Sequence, residues 1–375
     1  MKFISPMKNH SIITLLVSLI LILLNTSCSK DNIEPEYHYE NIHDLVVNTV
    51  SNENIPGIIA AIIDSSGIQH IESAGVRKIG SFEQITNNDH FHLGSCGKAM
   101  TSAMMATLVA EDKLQWQTTL IEVFPELEDT IHQDYHNITL HQLLMHRAGV
   151  ANTSSSFVLY ENLEIEERRY LNMKNVLKDP SQINSGEYLY SNIGYAIVGV
   201  MAERITGQSW ETLMKNRIFE PLGMSSAGFG PPGTINQIDQ PWGHNKSNDK
   251  WHPSQLDNPE EIGPAGIVHC SIEDWAKFIS LFIKQNNTAI LERNYLEKLI
   301  DPVGTYACGW VVEQQDRASG LVLAHNGSNS MWYVSLWVAP EINRAFIAGT
   351  NSFDNNTERI IQAAINNLIK INQEQ

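Results

Sequence analysis

The chain has 375 residues, a length that fits two average domains or one large α/β unit with insertions. Hydrophobic residues make up 42% and charged residues 18%, which excludes a mainly disordered chain. The formal charge of −17 would repel a phosphate backbone and argues against nucleic-acid binding. No Cys-x-x-Cys pair occurs, so neither a zinc ribbon nor a dense disulfide framework is indicated by the cysteines, which are Cys28, Cys96, Cys270 and Cys308.

The first residues have the pattern of a secretory signal. Lys2 and Lys8 precede an apolar run over residues 12–24, which at about 13 residues is short for a membrane span. Asn25-Thr26-Ser27-Cys28 follows and resembles the lipobox of bacterial lipoproteins, whose cysteine is acylated and becomes the new N-terminus. It departs from that pattern because the leucine usual three residues before the cysteine stands one place too early, at Leu24.

We therefore predict a signal peptide over residues 1–27, lipidation of Cys28 and a polar tether over residues 28–40. These features imply export to the cell envelope, on its periplasmic or surface side, with the protein held at a membrane by its lipid anchor. Plain secretion and an uncleaved anchor are the alternatives. Residues 41–375 are expected to form the folded domain.

Strand-like segments occur at both ends of the folded domain, and helical segments lie between them. Strands are predicted over residues 57–63, 68–75, 309–312, 321–324, 332–338 and 345–348. Helices are predicted over residues 95–111, 140–146, 193–206, 210–218, 271–284 and 357–371. This order predicts an α/β (α+β) fold: an antiparallel sheet built from both chain ends, flanked by helices, with a mostly helical insertion at about residues 112–265.

Ser-x-x-Lys is a frequent pattern here, with matches that start at Ser5, Ser27, Ser95 and Ser247. Only Ser95 stands where a strand-like segment meets a glycine and then a helix. A spacing of three residues puts Ser95 and Lys98 on one helix face, and the helix N-terminus favours a developing oxyanion. A buried Lys98 would lose part of its preference for the charged form and could transfer protons. The alternative is a capping serine beside a solvated lysine.

Tyr-x-Asn also recurs, and the match at Tyr190 is distinguished by a turn before it and an apolar helix after it. A phenol near Ser95 could shuttle the serine proton, and the Asn192 amide could hold a substrate carbonyl. The alternative is a tyrosine at the edge of the core with a capping asparagine.

His325-Asn326-Gly327-Ser328 ends the strand-like run over residues 321–324. A small residue at the edge of a strand would let a substrate backbone lie close and would supply a second N–H to an oxyanion. The alternative is a simple β-turn.

Together the three motifs resemble those of the serine β-lactamase and penicillin-binding-protein superfamily. The branch that holds class C β-lactamases, D,D-carboxypeptidases and related esterases and peptidases is the most similar. Ser95-Cys96-Gly97-Lys98 is similar to its first motif and Tyr190-Ser191-Asn192 to its Tyr-x-Asn. His325-Asn326-Gly327 is similar to its third motif, which is Lys-Thr-Gly in class C lactamases and often His-x-Gly in peptidases and esterases. Lesser signatures lie at residues 143–149, 221–224 and 264–266.

The resemblance implies a β-lactamase/transpeptidase-like fold and hydrolysis through an acyl-enzyme on Ser95. The base would be Lys98 or Tyr190, and the two can act as one coupled unit. No metal and no organic cofactor is expected. The oxyanion would be held by the backbone N–H groups of Ser95 and Ser328, and the implied substrate-binding residues are Asn192, His325, Gly327 and Ser328.

The residue at position 325 guides the expectation about substrate. A lysine there would be a fixed cation for a β-lactam or peptide carboxylate, whereas a histidine, with a pKa of about 6.5, is mostly neutral at pH 7. We therefore expect a D,D-carboxypeptidase/peptidase or an esterase that acts on a small-molecule, ester or peptide substrate. A true β-lactamase and a non-catalytic lipoprotein that binds cell-wall peptides are the alternatives. The oligomeric state is not indicated.

Three other patterns have simpler explanations. Residues 228–233 read Gly-x-Gly-x-x-Gly, but their Pro-Pro pair and the lack of a preceding strand favour a loop over a dinucleotide site. His132 and His136 are four residues apart, but Gln133 stands where a zinc protease needs glutamate. Cys96, beside the candidate nucleophile, is most simply a packing residue.

Overall fold

The structure is a computed structural model that describes residues 39–152, 156–160, 162–284 and 288–374. The predicted signal peptide, Cys28 and the tether up to residue 38 lie outside the described residues. The strands are β1 (Gly57–Asp64), β2 (Gly67–Gly75), β3 (His90–His92), β4 (Gly228–Phe229), β5 (Gly243–Ser247), β6 (Lys250–Ser254), β7 (Val268–Ser271), β8 (Val311–Gln315), β9 (Gly320–Ser328), β10 (Tyr333–Ala339) and β11 (Arg344–Thr350).

The helices fall mainly between the two groups of long strands. They are α1 (Ile42–Glu53), α2 (Gly97–Ala110), α3 (Leu120–Val123), α4 (Leu140–Leu144), α5 (Ile165–Val176), α6 (Asn192–Thr206), α7 (Trp210–Met214), α8 (Glu220–Leu222), α9 (Gly263–Gly266), α10 (Ile272–Ile283), α11 (Arg293–Leu299) and α12 (Thr357–Glu374). Among the described residues, no helix combines the length and the apolar character that crossing a bilayer requires.

A six-stranded antiparallel sheet forms the centre of the fold, in the order β2–β1–β11–β10–β9–β8. Strand β1 pairs with β11, so that Ile59 lies opposite Gly349 and Ile62 opposite Phe346. The N-terminal hairpin β1–β2 therefore extends the sheet that the C-terminal strands β8–β11 form. The prediction of one antiparallel sheet built from both chain ends is confirmed.

Successive residues of β1 face two different cores, as the two-residue repeat of a strand requires. Ile58 and Ile62 pack in the core that contains α1 and α12, whereas Ile59 and Ile63 belong to the core that contains α2 and α10. Both faces of the sheet are covered by helices. This explains why β1 reads as one continuous apolar run rather than as an alternation.

The middle of the chain is mostly helical but contains more strand than predicted. Strands β3, β7 and β4 form a small sheet in that order, and β5 and β6 form a separate hairpin. Helix α2 runs through the interior, and all of its residues except Ala110 are buried. Because α2 is enclosed on all sides, even a lysine on it is removed from water.

Several elements differ from the predictions in their boundaries or were not predicted. The predicted strand at residues 309–312 begins only at Val311, because Gly309 has a positive φ of 87° and lies directly against the backbone of Ala99. The predicted helix at 210–218 is α-helical only to Met214 and continues as a π-helical turn. Helix α5 was not predicted, because its buried side chains include Arg169 and Asn172 and it lacks an apolar stripe.

Candidate active site

Ser95 lies in a tight turn that joins a strand to a helix. Strand β3 ends at His92, and the 3₁₀ turn Gly94–Cys96 leads directly into α2. Gly94 has a φ of +50°, and a Cβ at this position would lie 2.2 Å from the backbone nitrogen of Ser328. Only glycine permits both this φ and this approach. The turn therefore holds Ser95 against the end of strand β9.

Lys98 reaches the Ser95 hydroxyl from the first turn of α2. Its Nζ lies 2.9 Å from Ser95 Oγ, 2.7 Å from Asn192 Oδ1 and 2.7 Å from the carbonyl oxygen of Ala265. The side chain is fully buried, and this burial penalises the charged form and lowers the pKa of Lys98 well below its usual 10.5. The structure thus contradicts the alternative of a solvated lysine.

Tyr190 approaches the same hydroxyl from the N-terminal end of α6. Its Oη lies 2.9 Å from Ser95 Oγ. Ser191 caps α6, since its Oγ accepts the N–H of Gly194 at 2.9 Å, and Asn192 is the first residue of the helix. Burial raises the pKa of Tyr190 above its usual 10, so the phenol stays protonated near neutral pH.

His325 lies in strand β9 with both ring nitrogens engaged. Nδ1 lies 2.7 Å from the carbonyl oxygen of Asn326, and Nε2 lies 3.3 Å from Tyr306 Oη. A carbonyl oxygen can only accept, so Nδ1 carries the proton and Nε2 accepts from the tyrosine. Burial, and then the charge of Lys98, lower the pKa of His325 to about 4. The ring is therefore neutral at pH 7.

Gly327 and Ser328 lie within β9 rather than in a turn. A Cβ on Gly327 would lie 1.9 Å from the carbonyl oxygen of Leu93 and 3.0 Å from the nitrogen of Cys96. The glycine is needed because the strand and the Ser95 turn are in backbone contact here. This contact places the amide of Ser328 beside the turn that carries Ser95.

Three groups near Ser95 were not assigned a role from the sequence. The carbonyl of Ala265 accepts from Lys98, and Tyr306 contacts His325. His146 is buried, its Nδ1 accepts the N–H of Ser191 at 3.1 Å, and its ring centroid lies 4.2 Å from that of Tyr190. Ala265 and His146 fall within the lesser signatures at 264–266 and 143–149, which could have identified them from the sequence. Tyr306 lies in a loop without any motif.

The other patterns are not brought to this site. Gly228 and Phe229 form strand β4, and Ser247, in a second Ser-x-x-Lys match, ends strand β5 of the hairpin. His132 Nδ1 lies 3.0 Å from Asp134 Oδ2, with which it can form an ion pair. In the described part of the chain, no group of three or more His, Cys, Asp or Glu side chains is placed to hold a metal ion.

Solved structures of other proteins share the fold of this chain. The D-amino acid amidase from Ochrobactrum anthropi, complexed with D-phenylalanine, superposes with a TM-score of 0.73 at 18% identity, covering 89% of this chain and 98% of that chain. A class C beta lactamase from Rhodobacter sphaeroides gives a TM-score of 0.70 at 16% identity, covering 86% and 96%. The chain therefore has the β-lactamase/transpeptidase-like fold, as the motifs implied.

Sequence comparison shows the family. The model of the Beta-lactamase family matches residues 42–369, and the chain belongs to this family of serine hydrolases. Among curated relatives, the chain is similar to unguisins hydrolase ungD' of Aspergillus campestris, with 22% identity over 333 residues. That match covers 84% of this chain but only 61% of the relative's length.

Proposed function

We propose that the protein hydrolyses its substrate through an acyl-enzyme on Ser95. One observation carries the proposal: two groups able to carry a proton converge on a single hydroxyl. Lys98 Nζ and Tyr190 Oη each lie 2.9 Å from Ser95 Oγ. A nucleophile within hydrogen-bond reach of a base is the arrangement that covalent catalysis needs.

In the first step, Ser95 Oγ bonds to the substrate carbonyl carbon and its proton passes to the Lys98 amine. The lowered pKa of Lys98 favours the neutral amine that can accept this proton, whereas the raised pKa of Tyr190 disfavours a phenolate base. The tetrahedral intermediate then expels its leaving group, which takes up the proton through the Tyr190 hydroxyl. In the second step a water molecule gives one proton to the Lys98 amine while its oxygen bonds to the acyl carbon. The bond to Ser95 Oγ then breaks, Oγ takes up that proton and the acid product leaves.

The negative oxygen of the tetrahedral intermediate would be stabilised by the backbone N–H groups of Ser95 and Ser328. Support comes from Gly94, whose missing side chain lets the Ser328 amide lie next to the Ser95 turn. Donors that are fixed before the reaction need no reorganisation as charge develops, so they lower the barrier.

Within this mechanism we propose a D,D-carboxypeptidase/peptidase or an esterase rather than a true β-lactamase. His325 supports this choice, because its neutral ring provides no fixed cation for a substrate carboxylate and both of its nitrogens already have partners. The names of two similar proteins, a D-amino acid amidase and unguisins hydrolase, agree with hydrolysis of a substrate other than a β-lactam.

A fluorophosphonate probe and a three-substrate panel test the proposal. We expect one covalent adduct per chain, located on Ser95 by peptide mass spectrometry, because Ser95 is the hydroxyl contacted by Lys98 and Tyr190. A short-chain nitrophenyl ester or a D-amino acid amide should be hydrolysed faster than a chromogenic cephalosporin. Rapid cephalosporin turnover with negligible ester and amide hydrolysis would instead identify a β-lactamase. If the protein shows neither labelling nor turnover, the non-catalytic binder is the remaining interpretation.

From the N-terminal pattern, we also propose export and lipid anchoring at Cys28. In a bacterial host that processes lipoproteins, the protein should fractionate with membranes and carry an acylated N-terminal cysteine, as measured by mass spectrometry. Replacing Cys28 by serine should move it to the soluble fraction, because no acyl chain can be attached. Membrane association that persists in Cys28→Ser would contradict the lipid anchor.

A further inference from the structure

A line of hydrogen bonds leaves the Ser95 turn on its N-terminal side. The side chain of His92 is fully buried; its Nδ1 accepts the N–H of Gly94 at 3.1 Å, and its Nε2 lies 3.0 Å from Asp257 Oδ2. Because Nδ1 acts as an acceptor, the proton belongs on Nε2, which donates to the carboxylate. The imidazole therefore connects the residue before the nucleophile to Asp257.

The same carboxylate holds the residue that follows strand β9. Asn329 Nδ2 donates to Asp257 Oδ1 at 2.9 Å, and Asn329 Oδ1 accepts the N–H groups of Met331 and Trp332 at 3.2 and 3.1 Å. Asn329 is 5% exposed. Its amide is thus satisfied on both sides, and the backbone directly after Ser328 is fixed.

Asn258 adds a third connection from the same loop. Its backbone N–H donates to Asp257 Oδ1 at 2.7 Å, and its side-chain nitrogen donates to the carbonyl of Gly266 at 2.9 Å. A Cβ on Gly266 would lie 2.9 Å from the carbonyl carbon of Gly94. One short loop therefore contacts three backbone segments around the nucleophile.

We propose that the Asp257 cluster, which consists of His92, Asp257, Asn258 and Asn329, sets the spacing between the backbone N–H groups of Ser95 and Ser328. Its members are positioning residues, since they act through Gly94 and the end of β9 and contact neither Ser95 Oγ nor Lys98 in the structure. The inference rests on the proposed acyl-enzyme mechanism. An oxyanion site depends on donors held at a fixed separation, and a shift of about 1 Å in a catalytic group can cost about 100-fold in rate.

Two substitutions test the cluster without touching the nucleophile. Asp257→Ala removes the shared acceptor, and Asn329→Asp keeps the oxygen that Met331 and Trp332 need while replacing the donor to Asp257 with a second carboxylate. Both should lower kcat for a nitrophenyl ester by about 10-fold to 100-fold, with KM changed by less than about threefold. Affinity for phenylboronic acid, whose tetrahedral adduct on Ser95 places an oxygen in the same site, should fall in parallel.

Conservative and control variants separate positioning from simple loss of stability. Asp257→Asn keeps only one of the two acceptor oxygens and turns an N–H donor toward His92 or Asn329, so it should recover only part of the activity that Asp257→Ala loses. Asp274→Asn alters another buried carboxyl, which accepts from Ser226, and should lower Tm while leaving kcat and boronate affinity unchanged. A similar kcat loss in Asp274→Asn would overturn the proposal.

The proposal would also be overturned if a folded Asn329→Asp or Asp257→Ala protein had the kcat of the wild type. If Asp257→Ala does not fold, Asn329→Asp alone tests the proposal. Folding is checked by circular dichroism. Fluorophosphonate labelling of the wild-type protein separates a failure of the acyl-enzyme mechanism from a failure of the positioning role. If Ser95 is not labelled, the acyl-enzyme mechanism itself fails; if it is labelled and the variants keep full activity, only the positioning role fails.

Discussion

Replacing Ser95 by alanine is expected to abolish fluorophosphonate labelling and to lower kcat for a nitrophenyl ester by about 10⁴-fold to 10⁶-fold. The reason is that the attacking oxygen is lost while the backbone amides that polarise the carbonyl remain. Ser95 is only partly buried, so the alanine variant should fold normally. Intact-protein mass spectrometry after exposure to the probe, together with steady-state kinetics, measures both effects.

Ser247 provides a matched control, because it begins another Ser-x-x-Lys sequence but lies at the end of strand β5 in the separate hairpin. Ser247→Ala should be labelled and should turn over substrate like the parent protein. Labelling that survives in Ser95→Ala would show that another residue is the nucleophile, and the mechanism would have to be abandoned.

Replacing Lys98 by methionine is expected to slow acylation of Ser95 by about 10²-fold to 10⁴-fold, the range that a positioned general base contributes. Methionine keeps an unbranched chain of similar length at this buried position but cannot accept the serine proton. Stopped-flow measurement of probe labelling reports the acylation rate directly. Tyr190→Phe is the comparison variant, because it keeps the ring beside His146 and removes only the hydroxyl. We expect a smaller loss for Tyr190→Phe.

The pH profile of acylation identifies the base. The Lys98 amine accepts a proton only when it is neutral, so the rate should rise as pH increases through the pKa of Lys98 and then level off. Because burial lowers that pKa, the plateau should be reached well below pH 10.5. This rise should disappear in Lys98→Met. A profile that rises only near pH 10.5, or that is unchanged in Lys98→Met, would contradict Lys98 as the base.

The lowered pKa of Lys98 also has a consequence for folding. The unfolded chain would bind a proton at this lysine up to about pH 10.4, whereas the folded protein releases it at lower pH. Between the folded and unfolded pKa values the unfolded state therefore binds more protons, and the free energy of unfolding rises with pH. Below that range the buried lysine makes the folded protein less stable, which is the cost of lowering the pKa of an amine that lies beside Ser95.

Much of the local structure could be predicted because its signals act over a few residues. The β-branched run that becomes β1, the turn after it and the glycine before Ser95 are each read from immediate neighbours. The apolar helix after Tyr190 is read in the same way, although the residue that caps α6 is Ser191 and not Asn192, which is the first residue of the helix. Polar helices such as α5 could not be predicted. An arginine in a sequence is expected to be exposed to solvent, whereas Arg169 of α5 is buried.

The sequence by itself determined three things about this protein: the strand–turn–helix setting of Ser95, the order of the three motifs, and a sheet that unites both chain ends. Only the tertiary structure decided that Lys98 is fully buried, that Tyr306 occupies the second nitrogen of His325, and that His92 meets Asp257. The last pair is 165 residues apart along the chain. Such contacts form only when separate elements pack around the Ser95 turn, and burial, which sets the pKa values, is a property of that packing.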